Sequence, residues 1–197
     1  MLKVGITGGI GSGKTTVCQI FATLGIPIYY ADTRAKELMI ADSDVIHQIK
    51  KIFGEDAYTH DGKLNRKHIA DRAFTDKNLL QQLNAIVHPA VFQDTLAWYQ
   101  THHNQPYTLY EAAIMFESGS YKLLDKVITV FAPIEDRIAR TIKRDQISRE
   151  EVLERINKQL SEEEKIKRAD FVINNDHSQP LIEQVLTIHQ QLMSISQ

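Results

Sequence analysis

The sequence predicts a three-layer α/β/α fold built on a parallel sheet, and three observations carry that prediction. A short apolar run, Leu2 to Thr7, ends in glycines, the pattern of a strand buried in a parallel sheet. From Lys14 the apolar period changes, with Val17, Ile20, Phe21 and Leu24 falling on one face of a helix. Further apolar runs then alternate with helical patterns, the order expected of a parallel sheet with helices on both faces.

The elements follow in turn. Gly25 closes the first helix and Pro27 prevents its continuation. Ile26 to Tyr30 reads as the second strand. Residues 34–105 show helical periodicity, as in Leu79, Leu80, Leu83, Ile86 and Val87, and no clear strand, so they read as a helical insertion between the second and third strands. Later strands are expected at Thr108 to Phe116, Val127 to Phe131 and Phe171 to Ile173. Ile134 to Arg144 is a helix with Pro133 near its first turn, where a missing N–H costs little. Asp145 to Arg168 is highly charged, contains the run SEEEKIKR, and on composition alone reads as a solvated helix pair. A last amphipathic helix, Leu181 to Leu192, carries Leu181, Val185, Ile188 and Leu192 on one stripe.

The chain has 197 residues, 43% hydrophobic and 24% charged, enough for one domain with a substantial core. A net charge of -2 gives no sign of a protein that coats nucleic acid, so its 23 basic residues act locally if at all. A single cysteine, Cys18, excludes an internal disulfide framework and fits a reducing compartment. The opening MLKVGITGG shows no cleavable apolar stretch, and no window approaches the ~20 apolar residues of a membrane helix. A cytoplasmic location, with no membrane and no nucleic-acid partner, is the expectation.

Gly8-Gly9-Ile10-Gly11-Ser12-Gly13-Lys14-Thr15 satisfies G-x-x-x-x-G-K-[ST], the phosphate-binding P-loop, with a strand before it and a helix after. Glycines permit the torsions that a loop wrapping a phosphate needs. Consecutive N–H groups and the N-terminus of the next helix then favour an anion. Lys14 would reach the β- and γ-phosphates of ATP, and the Thr15 hydroxyl would coordinate Mg²⁺.

Two classes of P-loop protein compete. A GTPase switch usually carries D-x-x-G and N-K-x-D. No aspartate here is followed by glycine three residues later, and Asn157-Lys158-Gln159-Leu160 lacks the guanine-reading aspartate. A small-molecule kinase needs a carboxylate near the acceptor hydroxyl, a lid that excludes water, and arginines that neutralise transferring charge. Asp32, just after the second strand at the carboxyl edge where ligands bind, suits the first role and reads equally as a helix N-cap. Arg137, Arg140 and Arg144 share one helix face leading into the charged segment, which suggests a lid.

With these motifs in place, the chain resembles the dephospho-CoA kinase family over nearly its whole length. GITGGIGSGKTTV is similar to that family's P-loop, double glycine included. Leu24-Gly25-Ile26 leading to Ala31-Asp32 resembles its acceptor-site segment. Phe53-Gly54, Asp61-Gly62-Lys63-Leu64-Asn65-Arg66 and His88-Pro89 resemble its helical substrate region. Ile114-Met115-Phe116-Glu117 is similar to its P-L-L-[FV]-E strand end. Arg140, Arg144-Asp145, Arg155, Gln159 and Ala169-Asp170-Phe171-Val172-Ile173 with Asn175 follow its lid and closing strand in order.

The resemblance implies a three-layer P-loop NTPase fold with a helical substrate-binding insertion and a helical lid. The nucleotide core would comprise residues 1–33, 106–136 and 169–197, the CoA-binding insertion 34–105, and the lid 137–168. The implied reaction is ATP- and Mg²⁺-dependent phosphorylation of the ribose 3′-hydroxyl of dephospho-CoA, the last step of coenzyme A synthesis, by a monomer or weak homo-oligomer. Asp32, Lys14 and Arg140 would be catalytic, Asp32 as general base and Arg140 stabilising the transferring group. Gly9, Gly11, Ser12, Gly13, Lys14, Thr15, Thr16, Arg140 and Asn175 would hold the nucleotide, Asn175 near the adenine. Asp32, Arg66 and His88 would contact the acceptor, and Thr15 the metal.

The chain departs from the family pattern at Tyr30-Ala31-Asp32, where D-A-D is common; the surviving aspartate matches the position usually given the catalytic role. Glu111-Ala112-Ala113 replaces an aspartate and proline, and Glu111 reads equally as a metal neighbour and as a strand residue. Cys18 is expected to pack rather than react. His102-His103 lacks metal-binding partners and reads as exposed. His88 precedes Pro89 and is expected at a break between helices, as a structural histidine or a substrate contact. Trp98 and Tyr99, with Val91, Phe92 and Leu96, are expected to pack the insertion's core.

Overall fold

The computed structural model describes residues 1–196, and only the backbone of residues 74, 75 and 77. It divides the chain into two units, residues 1–30 with 102–197, and residues 31–101.

The first unit is built on five parallel strands: β1 (Leu2–Thr7), β2 (Ile28–Tyr30), β3 (Tyr107–Glu111), β4 (Lys126–Phe131) and β5 (Phe171–Asn174), in the order β2-β3-β1-β4-β5. The central strand β1 pairs Ile6 with Glu111 on one side and with Ile128 on the other. One sheet face is covered by α1 (Lys14–Thr23) and α10 (Leu181–Ile195). Val17, Cys18 and Phe21 from α1 and Val185, Ile188 and Leu192 from α10 close over Val4, Ile6, Leu109, Ile128 and Ile173. On the opposite face Gly5 has no room for a side chain, because Met115 and Leu124 press against its backbone. The predicted three layers are present.

The first helix ends as its sequence requires. Gly25 and Ile26 turn their N–H groups back to the carbonyls of Ala22 and Phe21, capping the last turn. The segment expected to be a strand through Phe116 stops earlier. β3 ends at Glu111, and Met115–Ser118 is a one-turn helix, α6, so the tetrapeptide compared with a family strand end is helical here. Met115 and Phe116 are both buried, and a short buried apolar run does not reveal its period.

Three helices follow β4: α7 (Ile134–Asp145), α8 (Arg149–Asn157) and α9 (Glu162–Arg168). Each matches the helix dipole, with acidic residues in the first turn and basic ones in the last. Ser148 and Glu151 form a reciprocal cap on α8, and Ser161 caps α9. The charged run therefore encodes capped helices. It is not wholly solvated, because Lys165 is fully buried.

The second unit is helical: α2 (Ala31–Ala41), α3 (Ser43–Phe53), α4 (Arg66–Thr75) and α5 (Lys77–Thr101). Its core gathers Val45, Ile49 and Phe53 of α3 with Ala57, Tyr58, Ile69 and Ile86. Two expectations fail here. α5 runs unbroken through Pro89, so His88 lies inside a 25-residue helix rather than at a break. Proline removes one ladder bond, and a helix this long and well packed absorbs that loss. Phe92 and Leu96 are exposed on α5, whereas Val91 and Tyr99 are buried. Among the described residues no helix is long and apolar enough to cross a membrane.

Candidate active site

Residues 8–13 link β1 to α1 and form the P-loop. Gly13 is the helix N-cap at φ 99°, a left-handed conformation that favours glycine, and the Asn175 side-chain amide occupies the space a Cβ would need. No acidic residue stands in the first turn of α1, so its positive end is left for an anion. The N–H groups of Gly11, Gly13 and Thr15 make no hydrogen bond among the described residues. The Ser12 hydroxyl is buried and also lacks a partner. A loop with unpaired donors at a helix N-terminus is built to take oxygen acceptors. Lys14 Nζ donates to the carbonyls of Gly8 (2.9 Å) and Gly9 (3.4 Å), which holds its charge over the loop.

The loop is gripped from outside by later elements of the same unit. Arg137 donates from Nε to the carbonyl of Ile10 (3.0 Å), and the Gln159 carboxamide oxygen accepts from Ile10 N–H (2.9 Å). Arg140 lies at long range from the carbonyls of Gly11 (3.5 Å) and Asn175 (3.4 Å), with Asp136 at 3.5 Å. Asn175 donates its side-chain amide to the carbonyl of Ser12 (2.8 Å). Arg137 is buried and ion-paired with Glu162 (3.4 Å), which also meets the buried Lys165 (3.3 Å). Burial pulls the Arg137 guanidinium below its usual range, and Glu162 opposes that shift.

Gly9, Gly11, Ser12, Gly13, Lys14, Thr15, Thr16, Arg140 and Asn175 thus belong to one unit, and Arg140 and Asn175 reach the loop itself. Thr15 and Thr16 are exposed in the first turn of α1. The other three candidates lie in the second unit and are all exposed. Asp32 is the second residue of α2, which begins directly after β2; Arg66 opens α4; His88 sits within α5. Glu111 is buried at the end of β3; burial pushes the pKa values of Cys18 and Tyr30 up, and the Glu111 charge adds to both shifts. His102 is half-buried and His103 exposed, and no group of three His, Cys, Asp or Glu among the described residues could hold a metal alone.

Sequence reasoning gave Arg137, Arg140 and Arg144 one role, and the structure separates them. Arg137 is a buried strut, Arg140 hangs loosely at the loop, and Arg144 pairs on the surface with Asp145 (2.7 Å). Gln159 was visible only as part of a pattern. The signal for Arg137 was the second glycine, Gly9, whose missing side chain leaves room for the guanidinium.

The phosphate cradle, the sheet order and the helices above the loop meet their counterpart in known proteins. The dephospho-CoA kinase family model matches residues 2–180. The chain belongs to the dephospho-CoA kinase family. A Salinibacter ruber protein named dephospho-CoA kinase is 42% identical over 178 residues, 89% of either chain. A crystal structure from Thermus thermophilus superposes with a TM-score of 0.85 at 34% identity, covering 96% of both chains. Dephospho-CoA kinase from Campylobacter jejuni gives a TM-score of 0.74 at 27% identity, covering 99% of this chain and 98% of that one. A P-loop kinase of this family takes a nucleotide substrate, ATP.

Proposed function

We propose that this chain transfers the γ-phosphoryl group of ATP to the ribose 3′-hydroxyl of dephospho-CoA, giving coenzyme A and ADP. The observation that carries the reading is the loop of residues 8–15, whose open N–H groups and overlying Lys14 supply a triphosphate cradle in a chain of this family.

In the reaction the 3′-oxygen forms a bond to the γ-phosphorus while the bond to the β,γ-bridging oxygen breaks. The hydroxyl proton passes to a carboxylate, which we assign to Asp32, and ADP leaves with the electron pair. Asp32 is exposed and therefore accessible to an acceptor, and a single residue, Ala31, separates it from Tyr30, the strand partner of Glu111. Lys14, released from the Gly8 and Gly9 carbonyls, pairs with the β- and γ-phosphates. Arg140, held by contacts no shorter than 3.4 Å, has loose enough anchors to swing onto the transferring group. Asn175 lies near the adenine end of the site, where its side-chain amide holds the Ser12 carbonyl of the loop. Arg66 and His88 contact the acceptor within a CoA-binding segment of residues 34–105, and residues 137–168 act as the lid.

The metal is Mg²⁺, with the Thr15 hydroxyl as its protein ligand. Thr15 is exposed in the first turn of α1, directly after the loop, so its hydroxyl is accessible to an ion that would take its other oxygens from phosphate and water. Bound there, Mg²⁺ supplies charge neutralisation on the phosphates. The enzyme works in the cytoplasm as a monomer or weak homo-oligomer.

A coupled ADP-release assay with dephospho-CoA, AMP, CMP, shikimate and pantothenate as acceptors tests the reading. Turnover is expected with dephospho-CoA, and its product should resist periodate, because a 3′-phosphate removes the vicinal diol. Turnover with another acceptor alone, or a product still cleaved by periodate, would overturn it.

A further inference from the structure

Among the described residues of the P-loop, Ile10 has both its N–H and its carbonyl held by side chains from the segment beyond β4. The N–H goes to Gln159 (2.9 Å) and the carbonyl to Arg137 (3.0 Å). Gln159 lies between α8 and α9, half-buried, and its own amide nitrogen reaches the carbonyl of Ala113 (3.4 Å) just beyond β3. The next residue, Leu160, donates its N–H to the Glu117 carboxylate of α6 (2.7 Å). One short connection thus joins the crest of the P-loop to the segment following β3.

We infer that Gln159 is a positioning residue for the nucleotide: one carboxamide fixes the crest of the phosphate loop against the loop after β3. The inference rests on reading residues 8–15 as the triphosphate site. Ile10 immediately precedes Gly11, whose N–H is among the unpaired donors of the loop. Gln159 ties the Gly9–Ile10 peptide by its N–H while the Gly9 carbonyl of that same peptide accepts from Ser12 N–H (3.1 Å), and Arg137 ties the following Ile10–Gly11 peptide by its carbonyl. With both planes held, the Gly11 N–H is aimed before any phosphate arrives. Such preorganisation raises affinity by reducing the ordering cost of binding. It acts on the loop's grip on phosphate and leaves the acceptor's own contacts alone.

Q159M tests this, because methionine has nearly the same length and volume and cannot accept or donate these bonds. Loss of one neutral hydrogen bond corresponds to roughly 2- to 10-fold weaker affinity. Calorimetry should therefore show ATP and inorganic tripolyphosphate bound that much more weakly. KM for ATP should rise to match, while KM for the acceptor and the thermal midpoint stay at wild-type values. Wild-type ATP affinity in Q159M would show that the residue only packs. An equal rise in KM for the acceptor, or an affinity loss that follows a lowered midpoint, would likewise refute the positioning role. The binding arm needs no acceptor, so it stands or falls separately from the acceptor's identity.

Discussion

The space that a Cβ on Gly9 would fill is already taken by the guanidinium of Arg137, with a carboxylate oxygen of Glu162 only 2.6 Å from the same point. The φ of Gly9 is not positive, so the constraint there is contact and not torsion. Arg137 cannot easily step aside, since its Nε holds the Ile10 carbonyl and its NH1 pairs with Glu162. Gly9→Ala should therefore cost about 1–3 kcal/mol by overpacking. For a chain of this size that is roughly 2–4 °C in Tm per kcal/mol. Differential scanning calorimetry reads the loss, and in an Arg137→Ala background, where the space is open, the further drop in Tm caused by Gly9→Ala should be smaller. A Gly9→Ala protein with an unchanged Tm would show that the strut yields freely.

The cluster beneath the loop holds two cations and one anion: Arg137 and Lys165, both buried, share Glu162. Removing the anion leaves two buried positive charges unpaired, whereas removing Lys165 leaves a simple pair. Breaking a buried pair from one side costs about 3–5 kcal/mol, while an apolar replacement of similar volume is often close to neutral. Glu162→Gln is accordingly expected to fall near that range in urea unfolding, and Lys165→Met to lie within about 1 kcal/mol of wild type. The opposite order of the two variants would mean that Lys165, not Glu162, holds the cluster together.

Much of this was legible in the sequence because each signal was local. Gly8 to Thr15 needs only its spacing and flanking periodicity, and the charged run of residues 145–168 reads as helical from its composition, as α8 and α9 bear out. The failures came where tertiary packing decides. Pro89 predicts a helix break from local sterics alone, yet the contacts along α5 carry the helix past it. Met115 and Phe116 look like strand because buried apolar residues look alike in either state. Arg137 and Arg140 are three residues apart on one helix, and only the fold distinguishes the buried strut from the loosely held arm. The bond between Gln159 and Ile10 spans 149 positions, and no local pattern encodes it.

Lys14 and Asp32 should fail differently when substituted. Lys14 stands over the loop, 2.9 Å from the Gly8 carbonyl, and its charge is the loop's own. Lys14→Ala is expected to weaken ATP binding and turnover together. Asp32 is exposed in the second unit, so Asp32→Asn should leave ATP affinity within about 2-fold while kcat falls roughly 10²–10⁴-fold, the usual value of general-base assistance. Steady-state kinetics with calorimetry on the same samples separates the two. Full kcat in Asp32→Asn would remove the aspartate from the proton-accepting role.

Cys18 should make the protein's stability fall at alkaline pH. Its thiol is fully buried, and burial pushes its pKa well above the ordinary thiol range, with Glu111 adding to the shift and Lys14 opposing it. The unfolded chain releases this proton near the reference value of about 8.5, and the folded chain keeps it. Below that pH the thiol's contribution is fully present. Above it the unfolded state binds fewer protons than the native state, so stability declines with a slope of up to about 1.4 kcal/mol per pH unit. Tyr107, also buried and shifted upward, adds the same trend from about pH 10, the reference value for tyrosine. Urea unfolding between about pH 8.5 and 9.5 isolates the cysteine, since only it titrates there among the two. Cys18→Ala lowers stability through the lost volume but should flatten this limb by about 1 kcal/mol relative to wild type. Parallel alkaline limbs in the two proteins would show that the thiol ionises as readily folded as unfolded.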